Sequence, residues 1–350
     1  MLVHSLLLSL LTLPAAAAPS PVDDAAEVRG MTLSCPTSGW EWATDDAVRS
    51  MEDLKALGVN WIAIHPYASI AADGTVSSDL DPANPPAWIT RPIDEAHRLG
   101  LHVFVKPHIA HWGSPFDWRG EIHFDSHAQW TRFFETYDAW IVDVARIASD
   151  ADAFAVGTEL DRTVHQERAW RQVIADVRAV YGGHLTYGAN WDAYGKVPFW
   201  DALDTVGIQA YFPLVDDDGA APTADAIANG WAKVVLDLRQ IHAETGKPIV
   251  FTELGYPRSL KAAHRPWEHR DDVLGEGTQI ACMRTALKVI ASEDAVVGAF
   301  LWKWFPGDAT PRDFSMETPA MRALIRRHYE RTSPDEEVTP APEPKRRAKR

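Results

Sequence analysis

Residues 248–257 read PIVFTELGYP and residues 152–160 read DAFAVGTEL. Each is a short, almost unbroken apolar run that closes on a glutamate, Glu253 in the first and Glu159 in the second. Apolar runs without polar alternation are the pattern of parallel strands buried on both faces. Glutamate is rarely placed in apolar surroundings without a partner or a task, so the ends of these two strands are the first place to look for chemistry.

Six further runs of the same kind flank them: GMTLSC (30–35), VNWIAIHPY (59–67), LHVFVKPHI (101–109), HLTYGANW (184–191), TVGIQAYFP (205–213) and VVGAFLWKWFP (296–306). Between them lie helical patterns at 44–58, 89–100, 127–148, 167–182, 226–246 and 277–291, with a last one at 318–330. The first opens at Thr44 and stops at Gly58, and the second carries Pro92 near its expected first turn and ends at Gly100, the usual punctuation of helix starts and stops. Only the link from strand five to strand six is too short for a full helix; PFWDAL (198–203) supplies a turn or two. Eight buried strands with helical crossovers predict an α/β fold of the (β/α)8 TIM-barrel type. An open doubly wound sheet is the alternative, but no glycine-rich phosphate or dinucleotide loop follows the first strand.

The 350 residues divide into a leader-like segment at 1–20, a single barrel domain at 28–330 and a Pro-rich charged tail at 331–350. MLVHSLLLSLLTLPAAAAPS resembles a secretory signal peptide, although its first residues carry His4 and no Lys or Arg, and it predicts a secreted or periplasmic protein. No other apolar stretch reaches spanning length, so no stable membrane insertion is expected. A formal charge of −15 argues against a nucleic-acid partner, whose binding draws on concentrated Lys and Arg. An apolar fraction of 46% excludes wholesale disorder. Cys35 and Cys282 are too few and too far apart for a disulfide framework and are read as separate buried thiols. His108 and His111 stand at i,i+3 spacing on a strand leaving into a loop, with no cysteine or aspartate to complete a zinc set, so no metal and no cofactor are expected. A monomer is expected.

In a barrel, the C-terminal ends of the strands converge on one face. Those ends collect His65, Tyr67, Lys106, His108, His111, Trp112, Thr158, Glu159, Asn190, Trp191, Gln209, Tyr211, Glu253, Trp302 and Trp304. Acids, hydrogen-bonding groups and indole faces in one groove suit a polysaccharide or oligosaccharide, whose rings are flat on one face and polar at the edge. Two acids in such a groove are what glycosidic cleavage needs, one to pass a proton and one to attack. Lys106 reads equally well as an inward cation beside the acids or as a solvated rim lysine. The loop 110–126, with Asp117 and Trp118, is long enough to extend the groove.

GTELD (157–161), YGANWD (187–192), IQAYFP (208–213), FTELGYP (251–257) and LWKWFPG (301–307) together resemble the bacterial endo-β-1,4-mannanases of glycoside hydrolase family 113, over roughly residues 30–328. That resemblance implies a retaining, endo-acting glycoside hydrolase, with Glu159 as acid/base and Glu253 as nucleophile. It implies that Tyr211 donates to Glu253 and that Trp302 floors the subsite of the reacting sugar. Many relatives in the wider clan carry Asn just before the acid/base, where this chain has Thr158; the departure leaves the sugar open. A hydrolase of another β-linked glycan, or a non-catalytic carbohydrate-binding barrel, remains the alternative at this stage.

Overall fold

The computed structural model describes residues 27–216, 221–307 and 313–330. The leader-like segment 1–20 and the tail 331–350 lie outside the described residues.

Eight parallel strands close into a barrel: β1 (Val28–Leu33), β2 (Trp61–Ile64), β3 (His102–Val105), β4 (Ala153–Thr158), β5 (His184–Asn190), β6 (Val206–Gln209), β7 (Ile249–Leu254) and β8 (Val296–Trp304). The ring closes by pairing β1 with β8, Gly30 opposite Phe300 and Met31 opposite Leu301, which removes the open-sheet alternative. Helices α1 (Asp45–Lys55), α2 (Ala87–Arg98), α3 (His127–Ile147), α4 (Glu167–Val180), α5 (Ala224–Thr245), α6 (Glu276–Ile290) and α7 (Pro319–Tyr329) form the outer layer. Between β5 and β6 only the short turns Tyr194–Lys196 and Trp200–Ala202 appear. Side-chain oxygens cap α1, α3, α5 and α7, where Thr44, Ser126, Thr223 and Thr318 each accept from an amide three residues on. α2 begins at Ala87, two residues before the expected start, so Pro92 stands in its second turn rather than its first.

Two strands expected to run unbroken are interrupted. Pro66 and Pro107, lacking an amide hydrogen, end the barrel ladder after Ile64 and Val105. The chain then re-pairs above the barrel in a small sheet of Val76–Ser77, Tyr67–Ile70 and His108–Ile109, with Tyr67 opposite His108. This second layer raises one side of the barrel mouth and carries two of the expected site residues on it.

The strand side chains alternate between two cores. Trp61, Ala63, Phe104, Ala155, Val250 and Phe300 point into the barrel and plug its lower half. Their neighbours Ile62, Ile64, Phe154, Val156 and Phe251 pack outward against the helices. Among the outer side chains, Trp170 of α4 is fully buried, donates to the Thr163 carbonyl at 3.2 Å and stacks on Phe199. Gly157 of β4 lies under it: a Cβ there would stand 2.7 Å from the Trp170 ring and 2.8 Å from Tyr187, so any larger residue would push the strand off the helix.

Candidate active site

Strict alternation would not bring both glutamates into the barrel mouth. Val250 points in and Phe251 out, so a regular strand would send Glu253 out. The pairing register of β7 against both neighbours shifts between Phe251 and the residues after it, and this irregularity turns Glu253 inward. β4 shifts likewise between Ala155 and Thr158. Glu159 then takes a left-handed backbone, φ 54°, with its amide held by the Gly188 carbonyl at 2.8 Å. A left-handed residue with a side chain costs roughly 1–2 kcal/mol, and such strain gathers where the position of a side chain matters.

Around Glu253 the partners are all buried. The Tyr211 hydroxyl donates to Oε2 at 2.6 Å, and the Lys106 ammonium donates to Oε1 and, at 3.1 Å, to the Thr252 carbonyl. The Thr252 hydroxyl in turn donates to Gln209 Oε1 at 2.7 Å. His108 Nε2 stands 3.8 Å from Oε1. A carboxylate with a cation on one oxygen and a phenol on the other is stabilised in its charged form. Burial pulls the Lys106 ammonium down from its ordinary range, while Glu253 pulls it back up. Burial drives the Tyr211 phenol well upward, and the negative charge of Glu253 adds to this, so Tyr211 stays a donor.

Glu159 has the opposite setting. Burial raises its carboxyl above the usual range and the charge of Glu253 adds to the rise, outweighing Arg119 and Lys106, which lower it. Arg119 Nη1 donates to Glu159 Oε2 at 2.9 Å while its Nε holds the Ile109 carbonyl at 2.9 Å. Asp161, two residues on, is raised to about 7, first by burial and then by Glu159. Asn190 Nδ2 contacts its Oδ2 at 3.4 Å, and its Oδ1 is buried without a hydrogen-bond partner.

Both glutamates open into a cleft of about 1020 Å³. Tyr67, His108, Trp112, Asn190, Trp191, Tyr211 and Trp302 line it, as expected from their strand ends. Lys106 does not reach the cleft surface; it is fully buried beneath Glu253, its ammonium 5.0 Å from the centre of the Trp302 ring. The rim reading of this lysine is therefore set aside.

Four other expectations need correction. Trp304 lies on the far side of β8 from Trp302; it is buried in the outer core with the Arg322 guanidinium 5.0 Å from its ring. His65 is buried behind the cleft wall, stacked on His108 at 5.3 Å and near Trp302 at 5.4 Å. Burial, with Lys106 as the next cause, pushes its imidazole well below the ordinary range, so it acts as a neutral spacer. Thr158, expected in the groove, is buried and is not among the residues that line the cleft. Cys282 is buried as expected, but Cys35 is only half-buried and borders the cleft, its thiol pushed up to about 12, mainly by burial.

Sequence reading missed Arg119, Asp161, Trp267 and Phe314, all of which line the cleft. Asp161 sat in the quoted GTELD, and the alternation of polar groups around Glu159 was the available signal. Arg119 and Trp267 come from loops, where no period marks which side chains turn inward. Trp267 packs face to face with Trp191, ring centres 5.5 Å apart and planes 12° from parallel.

The sequence model of Glycoside Hydrolase Family 113 matches residues 31–316. Among solved structures, the family 113 β-mannanase AaManA from Alicyclobacillus acidocaldarius is 25% identical, with a TM-score of 0.76 over 88% of this chain and 98% of that one. Another family 113 β-1,4-mannanase is 22% identical at a TM-score of 0.75, over 87% and 99% of the two chains. The β-glucuronidase of Ruminococcus gnavus shares the barrel at 13% identity and a TM-score of 0.58, covering 87% of this chain and 50% of that one. No curated protein sequence matches this chain.

Proposed function

We propose that this chain, which belongs to glycoside hydrolase family 113, cuts the β-1,4 bonds of mannan-type polysaccharide from within, with retention at the anomeric carbon. The observation that carries the roles is the contrast between the two acids: Glu253 is held between the Lys106 ammonium and the Tyr211 phenol, whereas Glu159 is pushed toward its protonated form. A carboxylate gripped by a cation and a phenol, facing a carboxyl that burial pushes toward its acid form, is a nucleophile beside a proton donor. The substrate class rests on the family and on the two mannanases of like fold.

In the first step Glu253 attacks the anomeric carbon while Glu159 gives its proton to the departing glycosidic oxygen. In the second, Glu159 takes a proton from water, whose oxygen displaces Glu253 from the sugar. Trp302, at the cleft floor beside Glu253, offers the reacting sugar an aromatic face. With Thr158 withdrawn from the cleft, Asn190 is the amide placed to meet the sugar hydroxyl next to the anomeric carbon. Export is part of the same reading, supported by residues 1–20; none of the described helices is long and apolar enough to cross a membrane.

The test compares wild type with Glu253→Ala and Glu159→Ala on β-1,4-mannan and on a dinitrophenyl β-mannoside. Glu253→Ala should lose both activities. Glu159→Ala should lose mannan cleavage by about 10²–10⁴-fold yet still release dinitrophenol, a leaving group that needs no proton. Equal activity in all three proteins, or loss of the two substrates in parallel in Glu159→Ala, overturns the assignment. Sequencing the N-terminus of protein recovered outside the cell tests export; an intact residue 1–20 segment on cell-retained protein refutes it.

A further inference from the structure

Beyond the cleft, one feature of the barrel mouth has no part in the chemistry above. After β1 the chain runs along the cleft rim through Ser34–Ser38 and then makes a single short turn, Trp40–Ala43. The two tryptophans of this turn have opposite fates. Trp42 is fully buried, donates its indole N–H to the Leu33 carbonyl at 3.0 Å and packs edge-on against His65. Trp40 is 70% exposed. Large apolar rings displayed singly on a surface need no explanation, but this one borders a second hollow of about 340 Å³, lined by Thr37, Trp40, Glu41 and Thr44. Thr37 lines both this hollow and the main cleft, so the two adjoin at one residue.

The turn is held firmly. The Thr37 hydroxyl donates to Glu41 Oε2 at 2.7 Å, and the Thr44 hydroxyl donates to the Glu41 carbonyl at 2.7 Å. Gly39 has φ 108°, and a Cβ there would stand 2.5 Å from the Trp42 ring, so the backbone must pass this close for Trp42 to be buried. An exposed indole on an anchored turn is a preorganised platform, since little freedom is left to lose when a ligand lands on it. Around the ring lie a carboxylate and two hydroxyls whose own hydrogens go to Glu41, which leaves acceptor oxygens for sugar hydroxyls, while the indole face suits the C–H face of a pyranose.

We propose that Trp40, with Thr37, Glu41 and Thr44, is an outlying subsite that binds one pyranose ring of a long β-linked chain whose other rings fill the cleft. The occupant is a further unit of the substrate itself, because the hollow adjoins the cleft at Thr37. The subsite stands on the β1 side of the mouth, next to β8 with Trp302 and across the ring from β4 with Glu159. It therefore serves the part of the chain that stays with the enzyme after the leaving group departs. The proposal rests on the reading of the chain as a polysaccharide hydrolase and adds a reason for it to favour long substrates.

The experiment measures kcat/KM for wild type, Trp40→Ala and Trp40→Phe on β-1,4-manno-oligosaccharides of increasing length and on the polymer. One ring-on-indole contact corresponds to about a three- to tenfold effect. Wild type should show that rise at the chain length which reaches Trp40. In Trp40→Ala the ratio of polymer to trisaccharide kcat/KM should fall by the same factor, and Trp40→Phe should keep most of it. Retention of the proteins in gels containing the polymer is the second readout, and Trp40→Ala should migrate faster than wild type. An unchanged ratio together with unchanged migration overturns the subsite while leaving the hydrolase reading intact. A wild type that neither cleaves nor is retained by the polymer overturns the functional reading and the subsite with it.

Discussion

Arg119 offers the sharpest test of how the site sets its protonation. Its guanidinium lies 2.9 Å from Glu159 Oε2, and both side chains are largely buried. At that separation two unit charges interact by about 6 kcal/mol for an effective dielectric near 20, and by about 1.4 kcal/mol in bulk water. The lost interaction lies between these limits, and without it burial and the charge of Glu253 act on Glu159 unopposed by the guanidinium, so its pKa should rise. The direction follows from the chemistry: the cation favours the carboxylate, and without it the acid form persists to higher pH. Glu159 must be protonated for the first step, so the alkaline limb of the kcat/KM profile should move to higher pH in Arg119→Met. Arg119 also ties the loop to the Ile109 carbonyl, and Arg119→Lys separates the two effects by keeping the charge while losing the fork. That variant should leave the alkaline limb within a few tenths of a unit of wild type. An alkaline limb that stays put or falls in Arg119→Met would refute the account of Glu159 given above.

Two further outcomes follow from neighbouring groups. Tyr211→Phe removes the 2.6 Å bond to Glu253 Oε2; a hydrogen bond to a charged group contributes about 1.5–3 kcal/mol, so kcat/KM should fall roughly 10- to 150-fold, and a change below twofold would contradict the role. Asp161 is raised to about 7, and its ionisation near that pH adds negative charge beside Glu159; Asp161→Asn should therefore move the alkaline limb down. Because the folded protein holds that proton to a higher pH than the unfolded chain does, stability should fall as pH rises from about 4 to about 7, and melting curves of Asp161→Asn should show a shallower fall.

Residue by residue, what could be read before folding follows a physical line. β4 and β7 were legible because burial on both faces writes itself into a local apolar run, and their closing glutamates stood out against it. Tyr211 and Trp302 were legible in the same way, as polar or aromatic residues at strand ends. Trp304 was misplaced because two residues apart on a strand end is not always the same face: the ladder of β8 shifts against β1 between Met31 and Leu33, which pairs with Trp304, and the indole goes outward. His65 was placed in the groove by its position, yet Tyr67 and His108, raised on the small sheet after Pro66 and Pro107, stand in front of it. Arg119 was not legible at all, since a charged residue in a loop of no period gives no sign of turning inward until the loop is folded over the barrel.

The eight buried runs, their helical crossovers and the two acids were thus legible in the amino-acid sequence alone, because each depends on short-range patterning that survives without neighbours; closure of the ring, β1 on β8, was decided by tertiary pairing. The division of labour between the acids was decided by tertiary contacts: Lys106 from β3 and Tyr211 after β6 converge on Glu253, while Arg119 and burial act on Glu159. Those partners are 147, 42 and 40 residues from the acids they serve. A proton's preference is a property of everything within a few ångströms of it, and only closure of the barrel brings those groups within that range.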